Sequence, residues 1–179
     1  MQDRPILDGI ERELRRLRRM SELSLSRLDD EALYAARNGG NSAAVLMKHL
    51  SGNLLSRWCD FLTTDGEKPG RNRDSEFVIT EADTRRALEV RWDEGWRALF
   101  AALAPLDDAD LARTVTIRGE PHTVLQAVHR QLAHYAYHTG QIVLLAKELT
   151  GPHWESLSIP KGRSEAFNET PTTYLGGSV

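Results

Sequence analysis

Residues Gln131 to Ile142 read Gln-Leu-Ala-His-Tyr-Ala-Tyr-His-Thr-Gly-Gln-Ile, and this stretch organises the chain. At 100° per residue, its two histidines, His134 and His138, lie on one face of a helix. The apolar side chains within about 40° of His138 on the same wheel are Val124, Ala127, Ile142, Leu145 and Leu149. This pattern predicts a long helix over about 123–150 whose core-facing side carries two imidazoles close enough to share a metal ion.

Apolar residues also recur at intervals of three and four positions in three earlier segments. This periodicity predicts amphipathic helices over about 3–21, 42–62 and 80–103. Thr80 is followed three residues later by Asp83, which is typical of a capping box at the start of the third helix. Each of these helices has one apolar side, so we expect the helices to pack around a common core.

The segments between and after the helices differ in character. Residues 63–76 contain Asp-Gly and Pro-Gly pairs and predict a long crossover loop, and residues 114–117 predict a short extended or hairpin excursion. Residues 151–179 lack a helical period, but large apolar side chains such as Trp154 and Tyr174 predict an irregular tail. We expect this tail to dock on the bundle or on a second subunit up to about Asn168. The fold class is therefore expected to be all-α, a four-helix bundle formed by a single domain over 1–179.

Composition restricts the classes of function. A chain of 179 residues with a formal net charge of −3 can bury a sizeable core but lacks the basic excess of a general nucleic-acid binder. The arginines of the first helix alternate with glutamates, which favours a solvated helix face. Nucleic acid is thus not an expected partner, whereas a small-molecule substrate is.

Cellular location and assembly can be inferred only indirectly. The single cysteine, Cys59, rules out an intrachain disulfide and favours a reducing compartment. The polar N-terminus does not resemble a signal peptide, and the longest apolar run, 98–106, is too short to cross a membrane. We therefore expect a soluble cytoplasmic protein without a membrane partner, and a homodimer because two-fold dimers are the commonest soluble assembly.

Polar side chains flank the apolar face of the predicted second helix. His49 lies at this margin, and Arg57 falls inside the apolar sector. Three explanations remain open for the histidines: satisfied core side chains, a general acid or base, or a metal site. For the second explanation Cys59 is a poor nucleophile partner, because it lies away from His49 on the wheel.

In the metal explanation, His49 provides a third nitrogen beside His134 and His138 if the two helices are adjacent. Three neutral imidazoles leave a coordination position open, as in catalytic sites, and suit zinc, nickel or iron. Arg57 is a candidate for holding an acidic group of a thiol or substrate, although a salt bridge to a carboxylate is the simpler explanation. The candidates for orienting the imidazole rings are Asn53, Asp60, Gln131 and Gln141.

Three elements carry a resemblance to a known superfamily. They are His49 within Met-Lys-His-Leu-Ser-Gly-Asn, the His134 to Ile142 element, and Trp154-Glu-Ser-Leu-Ser-Ile-Pro-Lys-Gly. Together they resemble the DinB/YfiT-like four-helix metalloenzymes, over about Asp3 to Asn168, and the chain looks most similar to an uncharacterised bacterial subfamily. The resemblance implies that one histidine of the second helix and two of the last helix bind a divalent metal.

The resemblance also bears on function. Members of the superfamily with known activity include transferases and isomerases that use low-molecular-weight thiols. The leading hypothesis is therefore a metal-dependent enzyme, a thiol-dependent transferase or a hydrolase-like enzyme, with a low-molecular-weight thiol as a possible co-substrate. The alternative is a non-catalytic, dimeric or partner-binding bundle in which a metal or a histidine network stabilises the fold.

Overall fold

The computed structural model describes residues 4–171. Within that range the chain is mostly helical, as expected, with six α-helices and one small antiparallel sheet. No helix in this range is long and apolar enough to span a lipid bilayer. The helices are α1 (Pro5–Leu25), α2 (Asp30–Tyr34), α3 (Ala43–Trp58), α4 (Arg85–Leu103), α5 (Val124–Thr150) and α6 (Ser164–Glu169), and the strands are β1 (Thr114–Ile117) and β2 (Glu120–Thr123).

Local capping explains where the long helices begin. Pro5 occupies the first turn of α1, where its missing N–H is not needed. The Ser42 hydroxyl accepts a hydrogen bond from the Val45 N–H at the start of α3. Thr123 and Gln126 form a reciprocal capping box at the start of α5. These starts agree closely with the sequence-based ranges.

The long helices pack in pairs around one apolar core. Helix α3 packs mainly against α4, and α1 packs mainly against α5. Gly95 of α4 faces Leu54 of α3 so closely that a Cβ atom at Gly95 would lie 2.9 Å from the Leu54 Cβ. Trp96 is fully buried beside this contact. The glycine therefore allows the two helices to approach more closely than a larger side chain would.

Helix α3 is shorter than predicted. It ends at Trp58 rather than near residue 62, because Cys59 adopts an extended conformation and Asp60 a left-handed one with a φ of 50°. Asp60 is exposed beyond the end of the helix. The predicted placement of Asp60 on the flank of the apolar face of this helix is therefore wrong.

Helix α4 begins later than predicted. Thr80 and Asp83 make only one of the two bonds of a capping box. The Thr80 N–H donates to Asp83 Oδ2, but the Thr80 hydroxyl donates to the same oxygen instead of accepting from the Asp83 N–H. The helix nevertheless starts at Arg85, and the Thr84 hydroxyl caps it by accepting from the Ala87 N–H. The Asp83 carboxylate instead stabilises a turn before the helix, which explains the early prediction.

The predicted hairpin excursion is present as strands β1 and β2. Arg118 and Gly119 form its two-residue turn, with φ values of 56° and 75° that suit a type I′ turn. The carboxylate of Asp65 accepts hydrogen bonds from the N–H groups of both residues, at 2.8 and 2.7 Å. The crossover between α3 and α4 is therefore attached to the hairpin rather than lying free.

The two ends of the described chain differ from the predicted ranges. Helix α1 continues to Leu25 rather than ending near residue 21, because Leu25 is buried in the core. After α5, Trp154 packs on the core beneath the guanidinium of Arg27, but most of the tail is exposed and contains the short helix α6. The tail is thus docked chiefly at one tryptophan, and Tyr174, a further predicted anchor, lies outside the described residues.

Candidate metal centre

Helices α3 and α5 bring the three predicted histidines together. His134 Nε2 lies 3.4 Å from His49 Nε2 and 3.1 Å from His138 Nε2. One potential ligand atom from each histidine falls within 4.8 Å of the others. His49 and His138 are buried, with 3% and 8% of their surfaces exposed. The three residues could therefore hold one metal ion.

The spacing of the nitrogens suits a divalent ion. Ligands at about 2.0–2.1 Å from a tetrahedral zinc ion lie about 3.3 Å from one another. Two of the three separations, 3.1 and 3.4 Å, bracket this value, and all three ligand atoms lie within 4.8 Å of one another. Imidazole nitrogens are ligands that zinc, nickel and iron all accept. The donor set therefore fits the predicted metals.

Hydrogen bonds to the far side of two rings direct their lone pairs inward. His49 Nδ1–H donates to Glu76 Oε2 at 2.8 Å, and His138 Nδ1–H donates to Gln141 Oε1 at 2.9 Å. With the proton on Nδ1, each Nε2 carries a lone pair aimed towards His134. The neutral imidazole of His134 carries one proton, which can satisfy at most one of these two Nε2 atoms. The Nδ1 atom of His134 is buried without a partner among the described residues. The cluster therefore has more nitrogen lone pairs than protons to bond them, and a bound cation would accept the remaining lone pairs.

Burial keeps the rings in the neutral form that binds metals. Loss of solvent, together with the nearby His138 and His49, lowers the pKa of His134 to about 3. Burial also lowers the pKa of His138, although its hydrogen bond to Gln141 opposes the change. Both rings are therefore neutral at physiological pH and need lose no proton to bind an ion.

Glu76, the acceptor for His49, was not among the residues predicted from the sequence. Glu76 is 6% exposed, and both of its oxygens bond to Arg71, at 2.8 and 2.9 Å. Burial would raise the pKa of Glu76, but the hydrogen bonds from His49 and Arg71 outweigh it and hold the pKa below its usual value. Both residues belong to the crossover, which was predicted only as a long loop. No periodic pattern could have placed them beside a histidine.

A small residue on α3 makes room for this carboxylate. Gly52 lies one helical turn after His49, and a Cβ atom at Gly52 would fall 2.7 Å from Glu76 Cδ. That distance is too short for a real side-chain contact, so any larger residue at position 52 would displace Glu76. The glycine thus belongs to the arrangement that orients His49.

Two of the predicted orienting residues line a cavity next to the histidines. The cavity has a volume of about 360 Å³, and His49, His134, Asn53 and Gln131 are among its lining residues. Asn53 Oδ1 accepts from the Tyr135 hydroxyl at 3.2 Å rather than contacting a histidine. Gln131 is 4% exposed, and its Oε1 has no partner among the described residues. Neither residue makes the direct bond to an imidazole that was expected.

The remaining candidates divide between the site and other parts of the molecule. Gln141 bonds to His138 as expected. Arg57 lines the cavity and pairs with Glu67 at 3.0 Å, which confirms the salt bridge to a carboxylate expected for it. Asp60 borders a separate surface pocket with Cys59 and does not reach the histidines. A role for Asp60 in orienting the rings is therefore not supported.

The chain is mostly helical, and its three clustered histidines could hold a metal ion beside a polar cavity. These features define the class of the protein as a helical protein with a possible histidine metal site. Within that class, the chain belongs to the family described as "Protein of unknown function (DUF1572)", whose model matches residues 2–163. Comparison with curated proteins and with solved structures found no match.

Proposed function

We propose that the protein is a divalent-metal-dependent enzyme that activates a thiol or a water molecule in the cavity beside His49 and His134. The observation that carries the proposal is the convergence of three histidine side chains next to a cavity large enough for a small molecule. Three protein ligands are the number found in catalytic zinc sites, whereas closed structural sites use four. The resemblance to the DinB/YfiT-like metalloenzymes, with α1, α3, α4 and α5 as a four-helix bundle, supports the same proposal.

The chain's own residues would hold the ion and set its surroundings. His49, His134 and His138 are the proposed ligands, and Glu76 and Gln141 orient two of the rings through Nδ1. A divalent ion held there would lower the pKa of a thiol or water molecule towards neutrality. His49 and His134 line the cavity, so a substrate bound there would lie beside the activated group.

Metal analysis of protein purified without a polyhistidine tag tests the metal half of the proposal. We expect one zinc, nickel or iron ion per chain, and after treatment with a chelator we expect one equivalent of zinc to rebind. The His138→Ala variant should lose this binding, while His129→Ala, an exposed histidine on the opposite side of α5, should retain it. Wild-type protein that binds well under one equivalent would contradict the proposal.

A transferase assay tests the catalytic half. Glutathione and cysteine would be offered with 1-chloro-2,4-dinitrobenzene, whose ring carbon gains a C–S bond as chloride leaves with the bonding electrons and the thiol proton passes to solvent. Zinc-dependent turnover in the wild type that is lost in a folded His138→Ala protein would support an enzyme. Zinc binding without turnover, with a large fall in melting temperature on zinc removal, would favour the structural-metal alternative.

A further inference from the structure

The cavity beside the histidines is lined by five arginines that come from separate parts of the chain. Helix α3, the crossover, the hairpin turn and α5 all contribute, and no carboxylate is among the lining residues. The arginines are Arg57, Arg71, Arg73, Arg118 and Arg130. Because like charges repel, such a cluster is unfavourable unless it has a use or is neutralised.

The surrounding carboxylates neutralise only part of this charge. Glu67 accepts from Arg57, Arg71 and Arg118 at 3.0, 3.4 and 3.2 Å, and Glu76 pairs with Arg71. The remaining carboxylate contact is Asp74, which lies 3.8 Å from Arg73 and is 96% exposed. Asp65, which accepts from the Arg118 N–H, also interacts electrostatically with Arg57. Five guanidinium groups therefore face four carboxylates, which leaves an excess of one positive charge at the cavity.

Two of the arginines also keep donors for a ligand. Arg118 uses Nε to contact Glu67, and its other guanidinium nitrogens have no partner among residues 4–171. Arg130 contacts no carboxylate in that range, and its NH1 atom lies 3.1 Å from His122 Nε2. Both side chains are exposed and so can adjust to a ligand. A guanidinium group has five N–H donors in a fork that matches a carboxylate or a phosphate.

We propose that this cavity binds a small molecule with two or more negative charges on carboxylate or phosphate groups, held by Arg118 and Arg130 with Arg73 at the rim. The volume of about 360 Å³ suits a small organic acid or phosphate ester. Binding of the anion depends only on the arginines. Its role as the substrate or co-substrate rests on the proposed metal-dependent function. Arg57 and Arg71, which are largely buried and already paired, supply charge more than contacts.

Isothermal titration of succinate and of glycerol 3-phosphate tests the proposal on chelator-treated and on zinc-loaded protein. Succinamide and glycerol are the uncharged controls. We expect at least one of the two anions to bind in a salt-sensitive manner, with neither control binding. The variants Arg118→Gln and Arg130→Gln should each weaken the affinity by about tenfold, since each removes a charge-assisted contact.

Arg113→Gln is the matched control variant. Arg113 lies just before β1, is 50% exposed and pairs with Asp110, much as Arg118 is 53% exposed and pairs with Glu67. The affinity of the Arg113→Gln protein for the anion should equal that of the wild type. Equal affinities in the Arg113→Gln and Arg118→Gln proteins would overturn the proposal, as would binding of succinamide as tight as that of succinate.

The outcomes separate this inference from the proposed function. If zinc binds as expected but neither anion binds with or without it, the anion site is refuted while the metal proposal stands. If the chelator-treated protein binds an anion through Arg118 and Arg130 but never binds zinc, the anion site stands and the metal-dependent function fails.

Discussion

Oε2 of Glu76 lies 2.8 Å from Nδ1 of His49, although the two residues are 27 positions apart in the chain. The carboxylate is held from its other side by Arg71. It therefore fixes the orientation of one proposed ligand before any ion binds. Partners of this kind typically raise the affinity of a histidine site for metal by about tenfold to a hundredfold.

Replacing the carboxylate should weaken the metal site. We expect Glu76→Gln to lower the affinity for zinc by about tenfold to a hundredfold. The amide also leaves Arg71 with only its longer contact to the partly exposed Glu67, at 3.4 Å, so the free energy of unfolding should fall by about 1–3 kcal/mol. Zinc titration and urea denaturation measure the two effects. Asp74→Asn, which changes a 96% exposed neighbour, is the control and should alter neither quantity.

Filling the space beside Glu76 should have a similar effect on metal binding. In Gly52→Ala, the new methyl group would lie 2.7 Å from the present position of Glu76 Cδ and push the carboxylate away from His49. We expect the affinity for zinc to be about tenfold lower, because the hydrogen bond between His49 and Glu76 that orients the ring is lost. Gly9→Ala is the control, since a Cβ there meets nothing within 4 Å. It should leave zinc binding unchanged and add roughly 0.5–1 kcal/mol of stability. Wild-type zinc affinity in Gly52→Ala would contradict the role given to Glu76.

Asp83 should make stability depend on acidic pH. Burial raises the pKa of this carboxyl, but hydrogen bonds from Lys48 and Thr80 outweigh that effect and lower the pKa to about 2, from 3.8 in the unfolded chain. Because the folded pKa is the lower one, the stabilisation is present above about pH 4 and is lost as the pH falls towards 2. Asp83→Asn should therefore reduce the free energy of unfolding by about 2 kcal/mol at pH 6 and by almost nothing near pH 2.

Urea denaturation of both proteins from pH 2 to pH 6 measures this difference. Asp93→Asn serves as the control, because Asp93 is 57% exposed in its pair with Arg18 and such pairs contribute little. A difference between wild type and Asp83→Asn that stays constant over this range would show that the carboxylate charge is not the source of the stability.

The bond between the crossover and the hairpin can be tested by hydrogen exchange. The two carboxylate oxygens of Asp65 accept from the N–H groups of Arg118 and Gly119, and an amide at this position offers only one oxygen. In Asp65→Asn, at least one of these two amides should exchange about tenfold faster. The Val124 N–H, which donates to the Arg113 carbonyl at the base of the hairpin, should keep its rate. Unchanged exchange at both turn residues would mean that Asp65 does not hold the turn.

Much of the helical framework could be predicted from local patterns. The starts of α3 and α5 lie within one residue of the predicted ones, because the side chains of Ser42 and Thr123 cap these helices through amides only three residues away. The start of α4 was misplaced because Thr80 and Asp83 form one bond of a capping box within a turn that precedes the helix. The position of Asp60 was misjudged because a helix wheel does not reveal where the helix ends.

The sequence by itself determined that His134 and His138 share the core face of one long helix, because a period of 3.6 residues fixes which side chains are neighbours. Only the tertiary structure decided that His49 meets them, that Glu76 and Arg71 orient it, and that arginines from four elements converge on one cavity. These contacts join residues far apart in the chain. They depend on how helices pack and how the crossover attaches to the hairpin, and local periodicity carries no information about either.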